Sequence, residues 1–259
     1  MMIDSHCHLD YHPLIDYLKN VLEDASNCGV QIIQTISTKI RDMENLYSIS
    51  QKYDNVFCSV GDHPCNVEQE NICSEQDLYT WTSKKKVIGI GETGLDYHYS
   101  KVTRKAQIES FIKHIEVAQT TKLPIIIHCR NADDDMISLL ESSMRKEEFS
   151  GVMHCFNSSL KLAKKCLEME LYISASGIIT FKNSTTIRNT FSKIPHDRLL
   201  IETDSPFLAP DPHRGQKNRP GFLPYTASSL AKIVGLDFQS LCEVTTKNFL
   251  ALFKKVSVK

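Results

Sequence analysis

His6 and His8 stand two residues apart at the end of Met2-Ile3-Asp4-Ser5-His6-Cys7-His8. Side chains at that spacing on a strand share a face. Both imidazoles can therefore reach one cation, and the flanking Asp4 and Asp10 favour a metal over a structural histidine pair. Four later segments repeat the arrangement of an apolar run ending in a metal-binding side chain. Glu92 closes Lys86-Val87-Ile88-Gly89-Ile90-Gly91, His128 closes Leu123-Pro124-Ile125-Ile126-Ile127, and His154 closes Ser150-Gly151-Val152-Met153. Asp204 follows Leu199-Leu200-Ile201-Glu202-Thr203. Glu202 and Asp204 are again two apart and either can face a site; Asp204 is the favoured ligand and Glu202 its neighbour. Gly89, Gly91 and Gly94 around Glu92 leave room for close backbone approach.

Four histidines and two carboxylates exceed what one cation usually takes from protein. Two divalent ions sharing a bridging Glu92 account for the count. Ions paired about 3.5–4 Å apart suit in-line attack on phosphorus. Mixed imidazole and carboxylate donors suit Zn, Mn, Co or Fe better than Mg. Around such a centre, Arg130 follows His128 by two residues, His63 lies in Gly61-Asp62-His63-Pro64, and Arg214, Lys217 and Arg219 lie in a late loop. Guanidinium groups match phosphate geometry, so Arg130 and Arg214 are candidate substrate contacts, with His63 beside them. Tyr97, Phe156 and Phe207 are aromatics that can stack on a terminal base or simply pack.

These residues are scattered, so only a fold that gathers strand ends can bring them together. Short β-branched runs begin near Met2, Gln31, Val56, Val87, Ile125, Gly151, Tyr172 and Leu199. The expected strands are Met2–Ser5, Gln31–Ile36, Val56–Val60, Val87–Gly91, Ile125–His128, Gly151–His154, Tyr172–Ala175 and Leu199–Glu202. Helical patterns alternate with them: Leu14–Asn27, Asp42–Lys52, Glu75–Ser83, Thr103–Thr121, Asp133–Arg145, Leu160–Glu168, Ser184–Phe191 and Tyr225–Val234, with a last helix over Phe238–Phe253. Strict alternation predicts a parallel sheet. Eight units in 259 residues predict an α/β, (β/α)8 TIM-like barrel forming a single domain over 1–259. Barrel enzymes hold their catalytic groups at the C-terminal ends of the strands, where these ligands stand. In Asp133-Asp134-Asp135, one carboxylate is expected to cap the following helix and the others to suit its positive end.

Composition narrows the partners. A net charge of −1, from 30 basic and 31 acidic residues, leaves no global field to draw the chain onto nucleic acid. Phosphate binding must then be local, which favours single strands or ends over continuous duplex. The nine cysteines include no CxxC pair and form no disulfide framework. Cys7, Cys129 and Cys155 each follow a candidate ligand histidine, so strand alternation turns these thiols away from the site into packing. Reduced thiols in that number and the lack of a basic-then-apolar leader predict a cytoplasmic protein. No apolar run is long enough for a membrane span, and no obligate protein partner is evident.

The motifs taken together resemble the TatD family of metal-dependent deoxyribonucleases, within the amidohydrolase-like hydrolases. The resemblance runs from Ile3 to about Leu252. It is carried by the Asp4-x-His6-x-His8-Leu9-Asp10 start, Gly61-Asp62-His63-Pro64, Gly91-Glu92-Thr93-Gly94-Leu95-Asp96-Tyr97, His128-Cys129-Arg130-Asn131-Ala132, His154-Cys155-Phe156 and Glu202-Thr203-Asp204-Ser205-Pro206-Phe207-Leu208. It implies divalent-metal ligands at His6, His8, Glu92, His128, His154 and Asp204, with Glu92 bridging, the set already reached from spacing. It implies a TIM-like barrel and hydrolysis of DNA, often from the 3′ end. The expectation is a deoxyribonuclease acting on single-stranded DNA with two divalent ions (Mg²⁺, Mn²⁺ or Zn²⁺), Asp204 and Glu92 being its catalytic carboxylates. The alternative is a metal-dependent ester or amide hydrolase of the same superfamily, such as an aminoacyl-tRNA deacylase. Two stretches depart from the usual pattern: Asn157-Ser158-Ser159 after His-Cys-Phe, and Arg214-Gly215-Gln216-Lys217-Asn218-Arg219-Pro220 in the late loop. Both bear on substrate contacts rather than metal binding.

Overall fold

The computed structural model describes residues 1–68, 72–99 and 101–256. Eight strands stand side by side in chain order: β1 Met2–Cys7, β2 Val30–Thr35, β3 Val56–Val60, β4 Val87–Asp96, β5 Ile125–Arg130, β6 Gly151–Met153, β7 Tyr172–Ala175 and β8 Leu199–Ile201. Every neighbouring pair from β1 to β8 is parallel. The last gap closes beyond the strand ends. A bridge joins Cys7 to Ser205, the His8 N–H reaches the Ser205 carbonyl at 2.8 Å, and the Asp204 N–H reaches the His6 carbonyl at 2.9 Å. The barrel is thus sealed at the level of the candidate ligands.

The strands are apolar on two faces because each is covered twice. Ile3, Ile32, Phe57, Ile88, Ile126, Val152 and Leu200, each near the start of its strand, form one cluster inside the barrel with Phe249, Leu252 and Phe253. Those aromatics belong to the last helix, α9 (Phe238–Leu252), or directly follow it, and they plug the end of the barrel opposite the ligands. The residues between, such as Ile33, Val56, Val87, Ile127, Ile173 and Ile201, pack outward against the surrounding helices. These are α1 Leu18–Asn27, α2 Met43–Lys52, α3 Glu75–Thr82, α4 Arg104–Thr121, α5 Asp133–Lys146, α6 Leu160–Glu168, α7 Thr185–Phe191 and α8 Leu223–Val234. Among the described residues no helix is long and apolar enough to cross a membrane.

The expected element order is found, with local differences that have physical causes. The helix expected from Leu14 opens with a 3₁₀ turn over Ile15–Tyr17, common at helix starts, and α1 proper begins at Leu18. β4 does not stop at Gly91 but runs on to Asp96, with Gly94 opposite His128 and Asp96 opposite Arg130. A Cβ on Gly94 would lie 2.1 Å from the His128 carbonyl oxygen, and one on Gly91 2.5 Å from that of Ile126. Only glycine lets β4 lie so close to β5 there. No aspartate of Asp133-Asp134-Asp135 caps α5, whose N-cap is Ala132. They are taken by other partners: Asp133 accepts the Ser159 N–H at 3.1 Å, Asp134 pairs with Lys161, and Asp135 accepts the Tyr97 hydroxyl at 2.6 Å.

Candidate metal centre

Two of the ligand side chains, His6 and Glu92, stand where the ladder is irregular. In β1 the register shifts between Asp4 and Cys7, and in β4 between Ile90 and Thr93. These shifts turn His6 and Glu92 inward. His154 sits one residue beyond β6, its N–H still bonded to the Ile127 carbonyl at 3.0 Å. Asp204 lies three residues past β8 with φ 55°, a left-handed turn that aspartate tolerates better than most residues.

Glu92 is the hub. Its carboxylate is 3% exposed, and its two oxygens face different histidines. Oε2 lies 3.4 Å from His6 Nε2 and 4.0 Å from His8 Nε2. Oε1 lies 2.7 Å from His154 Nε2, 2.9 Å from His128 Nδ1 and 3.5 Å from His63 Nε2. Asp204 Oδ1 faces the first group, 3.5 Å from His8 and 3.7 Å from His6. The spacing-derived set of His6, His8, Glu92, His128, His154 and Asp204 is therefore one cluster. Burial alone would raise the Glu92 carboxyl, but the surrounding imidazoles, His154 foremost, hold it well below the ordinary carboxylate range. Burial likewise opposes charge on His154, and Glu92 and Glu202 overcome it.

The residues fit a divalent cation. Both ring nitrogens of buried His6 lack a hydrogen-bond partner, as does Glu202 Oε2. His128 Nδ1 and His154 Nε2 point at each other across 3.3 Å, an arrangement that a shared cation relieves. Ligand atoms of His6, His8 and Glu92 lie within 4.8 Å of one another, as do those of His63, Glu92 and His128, and of His6, His154 and Glu202.

Carboxylates behind the imidazoles set their orientation, as is usual for metal-binding histidines. Glu202 Oε1 lies 3.3 Å from His154 Nδ1. Spacing alone assigned no role to Asp96, yet its Oδ2 lies 3.2 Å from His128 Nε2 while its Oδ1 accepts the N–H groups of His98 and Tyr99, each at 2.8 Å. His114, buried on α4, takes the Asp62 N–H on Nε2 at 3.1 Å and so braces the loop carrying His63. Asn218 holds the Thr203 carbonyl at 2.8 Å. Asp96 and Asn218 had a sequence signal, their places in the run Gly91–Asp96 and in the late loop; His114 lies 52 residues from Asp62 and outside every motif.

The centre floors a cavity of about 1020 Å³. His63 and Arg130 line it, as do Asn157, Ser158 and Ser159. His63 Nδ1 accepts the Cys65 N–H at 3.0 Å, which leaves the ring proton on Nε2, facing Glu92. Burial holds the His63 pKa down to about 3. Arg214 is exposed and not part of the wall; its guanidinium lies 3.5 Å from the ring centre of Phe181, which is. Arg219 turns away to pair with Asp24 at 2.8 Å. Of the three thiols expected to face packing, only Cys7 does so fully. Cys129 and Cys155 line the cavity: Cys129 is still in β5, paired with Leu95, whereas Cys155 lies beyond β6 with φ 43°. Neither thiol is activated, since burial raises Cys129 to about 12 and Cys155 well above its ordinary value.

Known proteins match along the whole chain. The family model described as TatD related DNase matches residues 3–254. The chain is 42% identical to an uncharacterized metal-dependent hydrolase of Buchnera aphidicola subsp. Acyrthosiphon pisum, covering 97% of this chain and 98% of that one. It is 38% identical to the uncharacterized metal-dependent hydrolase YcfH of Escherichia coli K12, covering 97% and 95%. The fold superposes on the crystal structure of the TatD homolog YJJV from E. coli K12 with a TM-score of 0.88 at 24% identity, covering 98% of each chain. The chain is a TatD-family metal-dependent hydrolase.

Proposed function

We propose that this hydrolase is a deoxyribonuclease that removes nucleotides from the 3′ ends of single-stranded DNA, using two divalent ions (Mg²⁺, Mn²⁺ or Zn²⁺). The observation that carries the reading is the division of Glu92, one oxygen toward His6 and His8, the other toward His128 and His154. A carboxylate placed so can serve two cations at once, and paired cations suit phosphodiester hydrolysis. The match to a family described as TatD related DNase supports DNA as the substrate.

In this reading His6, His8, Glu92, His128, His154 and Asp204 hold the ions. Ions held there would supply Lewis acidity toward the phosphoryl group and the attacking water. Asp204, beside His6 and His8, takes the proton from the attacking water. His63, whose Nδ1 accepts the Cys65 N–H, can offer its Nε2–H to a phosphoryl oxygen placed beside Glu92. Arg130, on the cavity wall, neutralises charge that builds on the phosphate. Glu202 and Asp96 keep the His154 and His128 rings aimed. Nine free thiols suit a reducing compartment, so we place the enzyme in the cytoplasm.

The test uses 3′-labelled and 5′-labelled single-stranded oligonucleotides with metal-stripped protein, adding back each cation, and Glu92→Ala as control. Metal-restored cleavage that the variant lacks, with mononucleotides released from the 3′ end, is expected. Protein that binds two cations, cleaves no oligonucleotide and turns over an acyl ester instead would overturn the reading.

A further inference from the structure

The walls of the cavity differ in chemistry on opposite sides. β1 and β8 are neighbours around the barrel, and β4 and β5 lie half a turn away. The loops after β1 and β8 bring Tyr11 and Phe207 together, ring centres 6.1 Å apart and nearly perpendicular at 87°. The His8 ring lies against Tyr11 at 5.0 Å and 27°, so this wall begins at the centre itself. The Tyr11 ring is held by its hydroxyl, which bonds Thr38 at 2.8 Å, and the Phe207 backbone by its N–H on the Asp204 carbonyl at 2.9 Å. The far wall carries charge. The Arg130 guanidinium lies 4.3 Å from the ring centre of Tyr99, whose backbone is anchored on Asp96.

Phe207 is 47% exposed although it lines the cavity. Packing accounts for the other aromatics marked by the motifs. Phe156 is buried against Phe191, and Tyr97 bonds Asp135 beneath the Arg104 guanidinium. Phe207 meets His8 and Tyr11 only edge-on and keeps about half of its surface in solvent. A large apolar ring held in solvent beside a hydrolytic centre matches a ligand with a flat apolar face. The ligand must also carry a hydrolysable bond at the floor and an anionic group toward Arg130. A strand end combines these three features: a base, a phosphodiester and a further phosphate.

We propose that the Phe207 ring, met edge-on by Tyr11, forms a stacking platform for the unpaired nucleobase adjoining the cleaved phosphodiester, while Arg130 supported by Tyr99 receives a backbone phosphate on the opposite wall. The inference rests on the nuclease reading and adds to it the part of the substrate that is gripped. Stacking is sequence-tolerant, because every base has a π-face. It excludes internal duplex, where both faces of each base are already covered, and so accounts for a preference for single-stranded ends in a chain with almost no net charge.

The experiment follows a single-stranded oligodeoxynucleotide with 2-aminopurine at its 3′ end and phosphorothioate linkages to slow cleavage, added to Mn²⁺-loaded protein. Stacking quenches 2-aminopurine fluorescence. Quenching is expected with wild type and Phe207→Tyr and lost in Phe207→Ala, whose circular dichroism is unchanged. In parallel, Phe207→Ala should lower kcat/KM on ordinary 3′ ends by on the order of tenfold, but leave an abasic 3′ end unaffected. No quenching with wild type, or equal losses on basic and abasic ends, overturns the platform. Quenching without any cleavage by wild type would keep the platform and sink the nuclease reading, so the two failures are distinguishable.

Discussion

Asp4 accepts two hydrogen bonds from Thr203, 199 residues away in the chain: from its N–H at 2.9 Å and from its hydroxyl at 2.6 Å. The pair ties the first strand to the segment carrying Glu202 and Asp204. Because β1 and β8 share no continuous ladder, this carboxylate is a principal fastening of the barrel seam. It is fully buried, and burial pushes its pKa up to about 7 against the lowering effect of Thr203. Removing one partner leaves a buried polar group unsatisfied, which costs about 1–3 kcal/mol. Thr203→Val is expected to lower unfolding stability by that amount and to loosen retained metal, measured by urea denaturation and by metal content after dialysis. Wild-type stability in this variant would show that the seam is held elsewhere.

Asp96 acts through His128. With its Oδ2 3.2 Å from His128 Nε2, it keeps the ring turned so that Nδ1 faces Glu92. Loss of such an orienting carboxylate typically weakens metal affinity by about 10–100-fold. Asp96→Asn is therefore expected to bind divalent ions that much more weakly in isothermal titration, with activity partly recovered at high metal concentration. An unchanged titration would remove Asp96 from the centre.

Glu92→Gln preserves the side-chain shape but not the charge that gathers the histidines. Cation stoichiometry by elemental analysis should fall and hydrolysis should be lost, with the circular dichroism of the barrel intact. Full metal loading in this variant would mean that Glu92 does not bridge.

Gly94 and Gly215 separate two effects of glycine. Both have positive φ, 138° and 86°, but only at Gly94 would a Cβ collide with backbone, whereas Gly215 has nothing within 4 Å. Gly215→Ala should cost about 1 kcal/mol of stability, the ordinary strain of that conformation. Gly94→Ala should cost roughly 3 kcal/mol or more, because β4 must also move off β5 at His128. Thermal unfolding of the two variants side by side checks this; equal effects would contradict the close approach.

Arg130 stands on the cavity wall with its guanidinium over Tyr99. If it holds one phosphate of a single strand, Arg130→Ala should flatten the dependence of log affinity on log salt by about 0.7. An unchanged slope with unchanged affinity would mean that Arg130 serves only the Tyr99 ring.

Sequence by itself determined the kinds of element and their order, and singled out six candidate metal-binding side chains. Those follow from local rules: a two-residue period for strands, a 3.6-residue period for helices, and polar side chains closing apolar runs. His6, His8, Glu92, His128, His154 and Asp204 were legible because each stands at such an ending. The tertiary structure alone decided how they meet. The two sides of Glu92 are assigned by register shifts in β1 and β4, which no periodicity encodes. Asp96, His114 and Asn218 gain their work from neighbours across the barrel. Arg219 is drawn to Asp24 and Arg214 to Phe181, partners far from them in the chain. Cys155 meets the cavity because its backbone turns left-handed just beyond β6, where alternation no longer governs direction. Local pattern places a side chain on its own element; closing the barrel decides which elements, and so which side chains, become neighbours.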